Sequence, residues 1–186
     1  RLTYKEAMEK YHSDKPDLRS EKDEEKLAFA WVVDFPLFEK TPQRTIAPVH
    51  HPFTNPNPED LPLLEKSPLK VRSWQYDLVC NGQEVGGGSI RITDPKIQEK
   101  VFAILGHSKE EIREKFGHLL TAFEYGVPPH GGIALGFDRL VAILSGEESI
   151  REAIAFPVNT AGKTAVMDAP SAVAEEQLKE LGIKIR

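Results

Sequence analysis

The side chains best suited to chemistry in this chain fall in short clusters. The run Gly131-Gly132-Ile133-Ala134-Leu135-Gly136-Phe137-Asp138-Arg139 reads as a small-residue strand that turns through Gly136 into an apolar helix, with Arg139 in its first turn. An arginine at the mouth of such a strand can grip phosphate oxygens with its planar, permanently charged fork. It can equally pair with a nearby carboxylate inside a buried strand and helix, and taken alone the two readings carry similar weight. A second cluster is Gln83-Glu84-Val85-Gly86-Gly87-Gly88-Ser89-Ile90-Arg91-Ile92. Consecutive glycines weaken a strand, so a chain that keeps Gly86, Gly87 and Gly88 needs room above the sheet, for a flat ligand or for a bulge or backbone crossing.

Glu84 and Arg91 flank that glycine floor. A carboxylate there can hold Mg²⁺ against phosphate oxygens, and the arginine can clasp a carboxylate bidentately. They are separated by an odd number of positions, so a regular strand sends them to opposite faces. Either a bulge interrupts the glycine run, or one of the two is an ordinary surface charge. His50 and His51 lie in a loop and can bond a carboxylate or an ammonium group, or simply be solvated. Adjacent histidines without further ligand spacing make a poor zinc site. Asp34 and Asp138 read as structural. Neither a nucleophile elbow nor a triad nor a paired-carboxylate signature is evident, so any site positions and neutralises phosphate instead of attacking with a side chain.

Elements must hold these groups in place. Residues 3–11 read as a helix capped by Thr3 with Glu6 in the capping-box position, and 13–19 as a polar loop. Residues 20–26 form a charge run, read as a solvated linker. Residues 28–38 are a strand candidate marked by Pro36 as an edge or bulge, and 41–69 a long loop holding the histidines. Asn81-Gly82 between apolar runs at 74–80 and 83–92 predicts a hairpin, because both turn positions need positive φ. Asp94 with Pro95, and Ser108 with Glu111, open two helices that Gly106 and Gly126 close. A short amphipathic helix is expected over 174–181. Hairpins and consecutive helices, without βαβ alternation, argue for an α+β fold with an antiparallel sheet flanked by helices. No GxxxxGK(S/T) or GxGxxG loop is present.

The chain has 186 residues, 40% hydrophobic and 28% charged, as an ordinary globular domain has. A net charge of −5 disfavours a general nucleic-acid binder held by phosphate contacts. The single cysteine, Cys80, excludes an internal disulfide and a multi-cysteine zinc site. Together with the lack of a membrane-length apolar run or signal-peptide pattern, it leads us to expect a soluble, cytoplasmic protein without membrane contact. The start at Arg1, without methionine, suggests a fragment.

Segment 132–144 (GIALGFDRLVAIL) resembles motif 3 of the class II aminoacyl-tRNA synthetases. Segments 76–92 (YDLVCNGQEVGGGSIRI), 50–54 (HHPFT), 13–19 (SDKPDLR) and 31–39 (WVVDFPLFE) together resemble the bacterial-type aspartyl enzymes. Lysyl and asparaginyl relatives share the motif 3 pattern but not HHPFT with NGxEVGGGSIRI. The resemblance runs from Tyr4 to Leu181 and implies the C-terminal part of a class II catalytic core. It implies ATP binding by Gly136, Phe137, Asp138 and Arg139, the arginine meeting the γ-phosphate, and by Glu84 through Mg²⁺. It also implies that Arg91 recognises the side-chain carboxylate of L-aspartate, with His50 and His51 beside it. The implied reaction is activation of aspartate by ATP to aspartyl-adenylate, then transfer to tRNA, in a homodimeric parent.

Departures from the pattern limit what the chain can do alone. Motifs 1 and 2 and the anticodon-binding barrel are missing from it. Residues 1–19 match the helix and loop of the core, 20–27 stand as a short charged linker where bacterial members carry an inserted domain, and 28–186 match the remainder of the catalytic domain. His12, Phe137 and Val158 replace the usual glycine, leucine and lysine. The isolated chain is therefore expected to be inactive. The alternative is a catalytically inactive synthetase-like binding module, which the joint retention of Glu84, Arg91 and Arg139 disfavours.

Overall fold

Capping chemistry starts the fold. Thr3 ends β1 (Leu2–Thr3) and caps α1 (Tyr4–Tyr11). Its Oγ1 accepts the Glu6 N–H at 3.2 Å, while the Glu6 carboxylate accepts the Thr3 N–H at 2.8 Å, the reciprocal bonds of a capping box. The computed structural model describes residues 1–20, 25–43, 45–164, 166 and 169–185. Within the expected linker at 20–27, residues 21–24 lie outside the described residues. Contacts divide the chain into two units, Arg1–Gly136 and Phe137–Arg186.

The first unit is built on a five-stranded sheet. The strand expected over 28–38 is in fact two. β2 (Phe29–Val33) stops at Asp34, which takes a left-handed φ of 58°, and the chain resumes as β3 (Phe38–Lys40), paired only with β4 (Ile46–Pro48) in a separate ribbon. A left-handed residue followed by Pro36, which has no N–H to donate, cannot continue a ladder. The hairpin forms as its turn residues dictate. β5 (Gln75–Cys80) and β6 (Gln83–Ile90) are joined by Asn81 and Gly82, with φ of 49° and 81°.

α2 (Pro95–Ile104), capped by Asp94, and α3 (Lys109–Glu124), opened by the Ser108–Glu111 capping box, follow the hairpin. β7 (Gly131–Leu135) then returns to the sheet. Strand order is β1-β2-β5-β6-β7. The sheet is antiparallel with flanking helices, as the sequence leads one to expect, apart from the two-residue β1–β2 edge pair, which is parallel and makes it formally mixed.

Two apolar clusters hold this unit. Ala30, Val32 and Val79 on one sheet face pack with Ala7 of α1 and Phe35. Leu37, Phe38, Leu64, Val71, Ile92 and Val101 form the second, which anchors α2. Phe102 of α2 stacks on Phe116 of α3 at 4.2 Å between centroids, so the two helices share an aromatic seam. The long loop expected over 41–69 contains β4 and two 3₁₀ turns, Pro58–Leu63 and Pro68–Lys70. Such short, proline-initiated turns have no periodicity for a sequence to display. Arg72 pins them, donating from Nε to Asp60 at 2.8 Å and from Nη2 to Glu59 at 2.8 Å.

The second unit is smaller. It opens with α4 (Phe137–Ser145), continues through a 3₁₀ turn at Ile150–Glu152, and ends in α5 (Glu175–Glu180), for which Ala174 supplies no side-chain cap. Among the described residues, no helix is long and apolar enough to cross a membrane.

Candidate functional site

The parity conflict between Glu84 and Arg91 is resolved by a bulge. Leu78 pairs with Gly86 but the next residue, Val79, pairs with Glu84, so Val85 is an extra residue in β6. The bulge sits beside the glycine run instead of inside it. It turns Glu84 onto the face that also carries Gly87 and Ser89 from β6, and Asp77 and Gln75, their cross-strand partners, from β5. Arg91 follows Ser89 by two positions and bridges Thr54 just past the strand end. One face of the sheet thus gathers acid at one end and a cation at the other.

Gly87 is the only one of the three glycines on that face. A Cβ there would lie 2.7 Å from a Glu84 carboxylate oxygen and 2.9 Å from an Asp77 oxygen. Gly86 and Gly88 face the other way, where a Cβ at Gly86 would run into the Leu135 side chain at 2.8 Å and one at Gly88 would collide with the Gly132 backbone carbonyl, with Tyr76 at 2.9 Å. The expected floor of three open glycines is therefore split. Gly87 makes room for two carboxylates, Gly86 for the Leu135 side chain, and Gly88 for the close approach of the β7 backbone at Gly132.

Asp77 is buried, 8% exposed. Burial, and then the nearby Glu84 charge, push its carboxyl up to about 6. The Gln75 amide donates to it only at 3.3–3.4 Å, leaving its own Oε1 buried without a partner. Two carboxylates crowded over a glycine, one poorly solvated, form a donor pair suited to a hard divalent cation. Among the described residues no group of three or more metal-ligating side chains is assembled, so a cation here needs oxygens from a bound ligand as well.

At the other end, the loop 51–55 is stitched to the strand end. Asn55 N–H donates to the Ile90 carbonyl at 2.9 Å, and Ile92 N–H to the Phe53 carbonyl at 3.0 Å. This places the His51 Nδ1 3.2 Å from Arg91 Nη1. Burial, then the Arg91 charge, drive the His51 imidazole down to about 4, and the same causes lower His50. The two rings lie 4.3 Å apart. Among the described residues, no carboxylate pairs with Arg91.

His50, His51, Glu84, Gly87 and Arg91 all belong to the first unit, as does Gly136, whose N–H closes the β6–β7 ladder on the Val85 carbonyl at 2.9 Å. Phe137, Asp138 and Arg139 open α4 in the second unit, with Phe137 and Asp138 exposed and Arg139 in the first turn. The geometry adds Asp77, Gln75, Ser89 and Thr54 to the residues singled out by sequence. Polar side chains at alternate positions of β5, Gln75 and Asp77, are the signal that was available. A strand face meant for the core does not carry them without a use.

Comparison with known proteins agrees with this fold. Residues 1–160 match the family model described as tRNA synthetases class II (D, K and N). The chain is 57% identical over 164 residues to an aspartate--tRNA(Asp/Asn) ligase of Heliobacterium modesticaldum, an alignment covering 88% of this chain and 27% of the relative. It is also 57% identical over 161 residues to an aspartate--tRNA ligase of Amoebophilus asiaticus, covering 86% of this chain and 28% of that one. The chain thus spans little more than a quarter of the length of these relatives. Asparaginyl-tRNA synthetase from Pyrococcus horikoshii superposes with a TM-score of 0.59 at 23% identity, over 87% of this chain and 36% of that chain, a likeness of fold. Sequence match and fold agree that this chain belongs to the class II tRNA synthetases of the D, K and N group.

Proposed function

We propose that this chain is the C-terminal part of the catalytic domain of an aspartate–tRNA ligase, with residues 1–19 and 28–186 both belonging to that domain. The observation that carries the reading is the single sheet face with Arg91, paired with no carboxylate among the described residues, at one end and the Asp77–Glu84 pair at the other. Arg91 takes the side-chain carboxylate of L-aspartate, as a charge-assisted bidentate pair, and His50 borders the bound amino acid with His51 behind it. The ATP phosphates lie toward Glu84 and Asp77. Those two carboxylates hold Mg²⁺, which when bound supplies positive charge to the phosphate oxygens. Arg139, with Gly136, Phe137 and Asp138, serves ATP, the arginine at the γ-phosphate.

The reaction then needs no side-chain nucleophile. The α-carboxylate of aspartate attacks the α-phosphorus of ATP, expelling pyrophosphate and giving aspartyl-adenylate. The terminal adenosine hydroxyl of tRNA then attacks the activated carbonyl and releases AMP. What the chain contributes is alignment and electrostatic stabilisation. A homodimeric parent is part of the same proposal.

Aspartate-dependent ATP–pyrophosphate exchange by the full-length protein tests it. Exchange well above background is expected. Its absence would leave the inactive synthetase-like module as the better account. Whether tRNA for aspartate alone or also for asparagine is charged is a separate question, since relatives of both descriptions match equally well.

A further inference from the structure

His51 is in hydrogen-bond reach of four other residues of this site. Its Nδ1 lies 3.2 Å from the Phe53 backbone nitrogen, 3.2 Å from Arg91 Nη1 and 3.2 Å from Thr54 Oγ1, while its Nε2 lies 3.4 Å from Ser89 Oγ. Two of these neighbours can only donate. A backbone N–H and a guanidinium N–H both aim at Nδ1, so Nδ1 must be the bare lone pair and the ring hydrogen must sit on Nε2. That hydrogen points at Ser89 Oγ, which also accepts from Thr54 Oγ1 at 3.3 Å. Ser89 and Thr54 are 0% and 1% exposed. Beneath Arg91 there is therefore a small, uncharged, hydrogen-bonded base, with His51 half-buried on the buried hydroxyls of Ser89 and Thr54. A turn from His51 to Thr54, closed by the Thr54 N–H on the His51 carbonyl at 3.2 Å, fixes it.

The usual partner that orients an arginine is a carboxylate. That solution defeats a receptor for an acidic substrate, because a carboxylate neighbour neutralises the fork and competes for its donors. A neutral acceptor holds the guanidinium in place and leaves its charge for the substrate. We propose that His51 is a positioning residue of this kind: its Nδ1 lone pair aims Arg91 at the substrate carboxylate, and this support, not a contact with the substrate, is its contribution to selecting an acidic side chain. The inference rests on the reading of Arg91 as the aspartate receptor and assigns the two histidines different work. His50 faces the ligand, and His51 faces the arginine.

Asparagine and glutamine substitutions separate the two ring nitrogens. In His51→Asn the amide oxygen can occupy the place of Nδ1, whereas in His51→Gln the amide lies near the place of Nε2. KM for aspartate, KM for ATP and kcat are measured by pyrophosphate exchange in the full-length protein, with His51→Ala, His51→Asp and Arg91→Leu alongside. His51→Asn should raise the aspartate KM by less than about threefold. His51→Gln and His51→Ala should raise it by about tenfold or more, as expected when a hydrogen bond to a charged group is lost, with the ATP KM little changed. His51→Asp should be at least as impaired as His51→Ala, since its carboxylate occupies Arg91. Equal values for Asn and Gln, a loss confined to kcat or to ATP, or an active His51→Asp would overturn the positioning role. The Asn and Gln variants are close in size, so a general folding defect would strike both and their difference remains the readout. If Arg91→Leu leaves the aspartate KM unmoved, the assignment of Arg91 falls and the positioning role with it. If Arg91→Leu raises it while Asn and Gln stay equal, only the positioning role falls.

Discussion

Asp77→Asn should stabilise the ligand-free protein, and the gain should grow with pH. The carboxyl of Asp77 is raised from its ordinary 3.8 to about 6, first by burial and then by Glu84. An acid whose pKa is higher in the native state binds more protons there than in the unfolded chain between those two values. Stability therefore falls as pH rises across that window and is unaffected by this group below it. Ionised Asp77 thus costs the fold about 3 kcal/mol at pH 8, since each tenfold difference in proton affinity between the native and unfolded states is worth about 1.36 kcal/mol. Asparagine has nearly the same shape and no charge, so it escapes this cost. About half of the difference should develop between pH 5 and 8.

For a domain of this size, 1 kcal/mol moves Tm by about 2–4 °C. The Tm gap between variant and wild type should therefore widen by roughly 3–6 °C from pH 5 to pH 8, measured by calorimetry without nucleotide or divalent cation. Adding Mg²⁺ with ATP should close the gap from the wild-type side, because a cation between Asp77 and Glu84 removes the repulsion that asparagine had already removed. A gap that stays constant with pH, or one in which wild type gains as pH rises, would refute the reasoning. Either result would mean that Asp77 is better solvated or better hydrogen-bonded than its position over Gly87 implies.

Gly87→Ala places a methyl group against both carboxylates and should raise the KM for MgATP more than that for aspartate in steady-state assays. Arg91→Leu should do the reverse, raising the aspartate KM about a hundredfold, the loss expected when one partner of a desolvated charge pair is removed. Asp60→Ala strips Arg72 of its principal acceptor and should lower stability by about 1–3 kcal/mol in urea unfolding. It should not alter either KM, since the clasp lies among the 3₁₀ turns.

Much of the fold is legible in the sequence because local chemistry acts over short distances. Thr3 with Glu6, Asp94 with Pro95, and Ser108 with Glu111 mark helix starts through bonds made within three residues. Asn81-Gly82 marks a turn through the φ values it demands. Asp34 reads as structural but not as a strand breaker, because an aspartate in left-handed conformation leaves no compositional trace. The 3₁₀ turns at 58–70 are hidden for a related reason: they depend on Arg72, which lies outside the turn residues themselves.

For the site, the residue types alone are enough to single out Glu84, Arg91, the two histidines and the glycine run, and to show that Glu84 and Arg91 cannot share a face of a regular strand. Which side of that conflict prevails is a tertiary matter. The β5–β6 register absorbs Val85 as a bulge, and only then do Glu84, Asp77 and Gly87 meet. The separate duties of Gly87 and its neighbours, and of His50 and His51, likewise depend on what lies across the sheet from each. A sequence determines the chemistry each side chain can perform and the local geometry of its backbone. Facing is decided by pairing between strands distant along the chain, because one inserted residue in one strand reverses every side chain beyond it.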